Sequence, residues 1–181
     1  MFRWLTAVVL ATGFSTASAG CATPSPADLR SPMSPACRQP ERHLRGVWDG
    51  MAGKELARAR DRLPDYLKPT GQHVVASIDE TATAWTTARE RICQAARRGE
   101  QSRASWHATG ACHTRVLARL SILTQTLTHH PGPMWEQAPH ALAALRDQLT
   151  SCGDRPQAIP PDPALLAAAA RAEVRTWLGQ E

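Results

Sequence analysis

The chain has 181 residues, of which 43% are hydrophobic and 20% charged, with 14 prolines and 11 glycines; that suits one globular domain and excludes collagen-like and low-complexity classes. Ala, Leu and Arg dominate while Tyr and Phe are scarce, which points to helix rather than sheet. The net charge is +5, and all but two of the 21 basic residues are arginine. Those arginines are scattered and never gather into a basic arm, so no nucleic-acid partner is expected.

Residues 1–20 read as an export signal: Arg3 is the basic start, Trp4 to Ala11 the apolar stretch, and Ser15 to Gly20 the run of small residues. The apolar run is too short for a comfortable permanent span. Two processing outcomes follow. Ala17-Ser18-Ala19 suits cleavage by signal peptidase before Gly20, giving a periplasmic or secreted protein. Ser18-Ala19-Gly20-Cys21 resembles a bacterial lipobox with Ser where Leu is usual, giving a lipoprotein anchored through Cys21. The Pro/Ser/Ala-rich stretch at 21–43 favours the second outcome, because a lipid anchor needs a tether.

Export then sets the reading of Cys37, Cys93, Cys112 and Cys152 as two disulfides. The absence of CxxC argues against zinc or thioredoxin-like chemistry.

Five helical segments follow in the chain. The first, Val47 to Leu63, aligns Trp48, Ala52, Leu56, Ala59 and Leu63, and Pro64 ends it. The second, Pro69 to Arg98, carries Ile78, Trp85 and Ile92 at seven-residue intervals beside Thr81, Ala88 and Ala95, a coiled-coil-like seam closed by Gly99. The third, Arg103 to Thr128, has Ser102 as its cap and a stripe of Trp106, Cys112, Val116, Leu120, Leu123 and Leu127. The fourth, Trp135 to Ser151, has Trp135, Ala138, Leu142, Leu145, Leu149 and Cys152 on one face, with Pro139 expected to delay its start. After the Pro160-Pro161-Asp162-Pro163 spacer, a fifth runs from Pro163 to Leu178 with Asp162 as N-cap.

Short connections make the first four an up-down bundle over 44–153, with the spacer and fifth helix at 154–181. All four cysteines then lie towards one pole. The expected pairs are Cys93 with Cys112 and Cys37 with Cys152, or alternatively Cys37 with Cys112 and Cys93 with Cys152. The fifth helix presents Leu166, Ala170, Val174 and Trp177, a stripe that either folds back on the bundle or docks a partner.

No catalytic, metal or cofactor pattern is present in the sequence. The seven histidines, His43, His73, His107, His113, His129, His130 and His140, lack ligand spacing and read as surface or capping residues. Asp79, Glu80 and Glu90 read as solvated charges. The chain is therefore expected to be a non-enzyme with no cofactor. Trp48, Trp85, Trp106 and Trp135 all belong to inward faces, so a Trp-lined pocket for a small-molecule signal is the alternative to protein binding.

Cys93-Gln94-Ala95, Arg98 to Ser102, Ala111-Cys112 and Arg115 to Leu120 resemble a region of large bacterial eukaryotic-type serine/threonine protein kinases, known especially from myxobacteria. That region lies between their transmembrane segment and a C-terminal array of tetratricopeptide repeats. The likeness extends to Cys37 with Leu44 to Asp49, to Tyr66, Ile78-Asp79 and Trp85, and to Cys152-Gly153-Asp154 with the proline-rich spacer. No glycine-rich loop, HRD or DFG precedes it, and no repeats follow. The resemblance implies an extracytoplasmic, helical, disulfide-stapled sensor or scaffold module of the cell envelope, with an envelope protein or signal as partner and no catalytic residues.

Overall fold

A computed structural model describes residue 37 and residues 39–130, 132–152 and 163–179. The expected export signal, Cys21 and the Pro160-to-Asp162 spacer lie outside these residues. Among the described residues there are five α-helices and no strand: α1 (Gly50–Asp61), α2 (Lys68–Arg97), α3 (Arg103–His129), α4 (Met134–Ser151) and α5 (Pro163–Trp177). Short 3-10 turns stand at Pro40–Leu44 and Asp65–Leu67. The expected all-α architecture is present, an up-down four-helix bundle with a fifth helix and two disulfides.

Local chemistry sets the helix ends. Asp49 caps α1 by accepting from the Met51 and Ala52 amides at 2.9 and 3.0 Å, while its other oxygen accepts from Gly46 N–H. These three amides hold the Asp49 carboxyl below the usual carboxylate range, the Ala52 bond contributing most. At the far end of α2, Gly99 takes the left-handed conformation (φ 72°). Its N–H donates to the Ala96 carbonyl and that of Glu100 to Ala95, so two orphan carbonyls are satisfied. Ser102 Oγ accepts from Ser105 N–H and opens α3. Pro139 does not delay α4; the helix already begins at Met134, with the proline in its second turn.

The long helices α2 and α3 form an antiparallel hairpin, and α1 and α4 each pack on both. The core follows the predicted stripes: Leu56, Ala59, Val74, Ile78, Trp85, Val116, Leu120, Leu123, Trp135, Leu142 and Leu145 are buried together. Gly71 permits α1 to sit close on α2, since a side chain there would meet Arg60 and Leu63 at 2.8 Å. Polar groups also link the helices at the edge of the core. Arg146 of α4 reaches Thr81 Oγ1 at 3.2 Å and Glu80 at 3.4 Å, tying α4 to α2.

The disulfides are Cys37–Cys93 and Cys112–Cys152, which corrects both expected pairings. Geometry explains the difference. Cys93 lies one turn before the end of α2, whereas Cys112 lies more than two turns into α3, so their axial levels are staggered. Cys112 instead sits level with the end of the antiparallel α4, where Cys152 is the C-cap. The first helix also begins later than expected, at Gly50 rather than Val47. Trp48 therefore precedes it and reaches only mid-α2, where its Nε1 donates to Asp79 at 3.1 Å. The chain before Trp48 packs on α2 through the Pro40–Leu44 turn and brings Cys37 to Cys93. Within the stretch expected as tether, Cys37 and Pro40 are buried.

Candidate functional site

The predicted sites fall at separate places in the fold. The four tryptophans lie at different places in the bundle. Trp135 is fully buried near Gly71, at the end where α1 meets α2, and Trp48 lies half-buried at mid-bundle. Trp85 and Trp106 are closer to the disulfide pole, but Trp85 belongs to the main core and Trp106 to a smaller cluster with Cys37, Ile92 and Cys93.

The stripe on α5 folds back onto α3. Ala170 and Val174 are buried, and Leu166 and Trp177 are half-buried. Arg119 of α3 pairs with Glu173, lies over the Trp177 ring at 5.8 Å and donates to Gln148 of α4 at 2.5 Å. One arginine thus clasps α3, α4 and α5 together, and the face expected for a partner is occupied by the bundle itself.

Two polar residues are inside, His113, expected at the surface or as a cap, and Arg89. His113 is 2% exposed and Arg89 7% exposed. The other six histidines are exposed; of these, His43 meets the Trp85 ring edge-on at 5.9 Å. Both buried residues sit on the inward register: Arg89 follows Trp85 by four positions, and His113 precedes Val116 by three. That spacing was the available signal. The Trp85 indole N–H donates to the His113 carbonyl at 2.9 Å, and the two rings lie 6.1 Å apart. The Arg89 guanidinium lies 5.2 Å from the Trp106 ring centroid, packed beside Gly110. Among the described residues no carboxylate pairs with Arg89.

Burial, seconded by the Arg89 charge, lowers the His113 pKa to about 4. The ring is therefore neutral at pH 7. Unfolded, it titrates near 6.5, so between about 6.5 and 4 the unfolded chain holds a proton that the folded chain refuses. Stability is full above that window and falls as the pH drops through it, by up to about 3 kcal/mol from this residue. Urea unfolding from pH 7.5 to 4 is expected to show that loss in the wild type. His113→Leu should have a markedly flatter profile, and identical slopes in the two proteins would remove His113 as the cause.

His113 also lines a half-open groove of about 510 Å³ between α2, α3 and the end of α4. Ala88, Ile92 and Leu149 supply apolar lining, and Gln101, Arg91 and Cys152 belong to the lining as well. Among the described residues neither His113 Nδ1 nor Gln101 Oε1, both buried, has a hydrogen-bond partner. Among the described residues no group of three or more His, Cys, Asp or Glu side chains is placed to hold a metal, and no helix is long and apolar enough to cross a membrane.

The fold thus defines a disulfide-bonded, all-α bundle with a groove beside one of its cross-links. Compared with known proteins, the chain matches no family model, no characterised protein and no solved structure.

Proposed function

We propose that the chain is a non-catalytic module of the cell envelope, exported by its N-terminal signal, held to the membrane through a lipid on Cys21, and binding a protein partner or signal. The observation that carries this reading is the pair of buried disulfides, Cys37–Cys93 and Cys112–Cys152. Each joins helix-bearing segments far apart in sequence, and such bonds persist in oxidising compartments. The signal-like residues 1–20 and the Cys21 context supply the route. The resemblance to the extracytoplasmic region of bacterial serine/threonine kinases supports a sensor or scaffold role.

Expression of the full chain in a bacterium with a lipoprotein pathway, followed by mass spectrometry of the mature protein, tests the reading. The expected product begins at a lipid-modified Cys21 and yields two disulfide-linked peptide pairs. Cleavage before Gly20 without lipid would remove the anchor and leave export standing. An intact N-terminus with four free thiols, from Cys37, Cys93, Cys112 and Cys152, would overturn it.

A further inference from the structure

Three features of the groove beside the Cys112–Cys152 bond point to a ligand. Its volume, about 510 Å³, falls within the range of small-molecule sites. Two residues of its lining, His113 and Gln101, each carry a buried polar atom, Nδ1 and Oε1, that has no hydrogen-bond partner among the described residues. Each such atom costs roughly 1–3 kcal/mol when left unpaired, a cost that a bound polar group would relieve. The third feature is charge. Among the described residues Arg91 is the only charged one on the lining, and Arg89, two positions before it on α2, is buried with no carboxylate partner.

We propose that this groove binds a small amphiphile, an apolar hydrocarbon or aryl body carrying one carboxylate, with the carboxylate towards His113, Gln101 and Arg91. The apolar body matches the Ala88, Ile92 and Leu149 wall. The carboxylate matches the donors. A neutral imidazole carries one N–H, which donates from Nδ1 in that tautomer. The Gln101 side chain carries an NH₂ donor beside its buried oxygen. Arg91 adds a charge-assisted bond at the mouth. A cationic amphiphile would meet Arg91 and, among the described residues of the lining, no acid, so the site discriminates by sign as well as by shape. The hydroxyls of Thr87, Thr109 and Thr150 already donate to carbonyls in their own helices, which leaves the nitrogen groups as the donors for an anion.

This inference rests on the groove alone and requires neither export nor a lipid on Cys21, so its failure would leave the preceding reading untouched. The test uses the disulfide-bonded protein with three probes of equal chain length: decanoate, decanol and decyltrimethylammonium. Titration calorimetry is expected to give saturable one-to-one binding of decanoate. Decanol should bind at least tenfold more weakly, and the cation should not compete. Amide resonances of Ile92, Gln101 and His113 should move with decanoate while those around Trp135 stay. Two exposed-site variants that leave the core intact, Arg91→Glu and Thr87→Trp, should weaken decanoate binding at least fivefold, with unchanged helical circular dichroism. The proposal is overturned if decanoate does not saturate, if the cation binds as well, or if neither variant alters the affinity.

Discussion

Replacing both Cys112 and Cys152 with alanine is expected to lower the unfolding free energy by about 4 kcal/mol. The bond joins positions 40 residues apart, and freeing a loop of that size in the unfolded chain accounts for an effect of that order. Both sulfurs belong to the main core, so global unfolding sees the full loss. For a domain of this size the melting temperature should fall by roughly 10 °C, read by circular dichroism. The Cys37–Cys93 bond differs in character. Its surroundings are the smaller cluster of Ile92 and Trp106, outside the main core. Its removal should free the segment before α1 locally, seen as faster hydrogen exchange around Leu44 and Val47, before the bundle itself melts. A loss under about 1 kcal/mol for the Cys112/Cys152 variant would show that the unfolded chain is already held compact by other means.

Trp135→Ala should cost a similar amount, roughly 3–5 kcal/mol in urea unfolding, because the ring is fully buried against the helix contact made possible by Gly71. The conservative Trp135→Phe separates two contributions. It leaves part of the volume filled and removes an indole N–H that is buried without a partner. The space lost and the polar burden removed offset each other, so Trp135→Phe should lie within about 1 kcal/mol of the wild type. If phenylalanine costs as much as alanine, the indole N–H is satisfied in solution and the packing account of this residue fails.

Helix positions and the core were readable in the sequence because amphipathic spacing is a local property. The α4 stripe from Trp135 to Cys152 is buried at every predicted position. The seam Ile78, Trp85 and Ile92 faces inward in the same way. The cysteine pairing was not readable, because it depends on the relative lengths of helices that meet only in three dimensions. With α1 at 12 residues beside α2 at 30, the start of the first helix falls short of the disulfide pole. The stretch 39–48, with its 3-10 turn at Pro40–Leu44, covers the remainder. His113 and Arg89 escaped for a different reason. Both occupy inward positions of the helical repeat, but residue type argued for the surface. Arg89 is accommodated by the Trp106 face and His113 by remaining neutral, and both are tertiary circumstances. The groove was invisible for the same reason: its lining comes from three helices and one connection, none of which carries a motif.

The Cys37–Cys93 link has a mechanical consequence. Tension applied to the chain on the amino-terminal side of Cys37 enters α2 through a covalent bond, one turn from the helix end. The non-covalent packing of residues 39–48 is thereby bypassed, and that stretch cannot be peeled away one contact at a time. Under load the four helices are hauled as a unit by their longest member, and reducing that single sulfur–sulfur bridge would change the response from rigid towing to progressive unzipping.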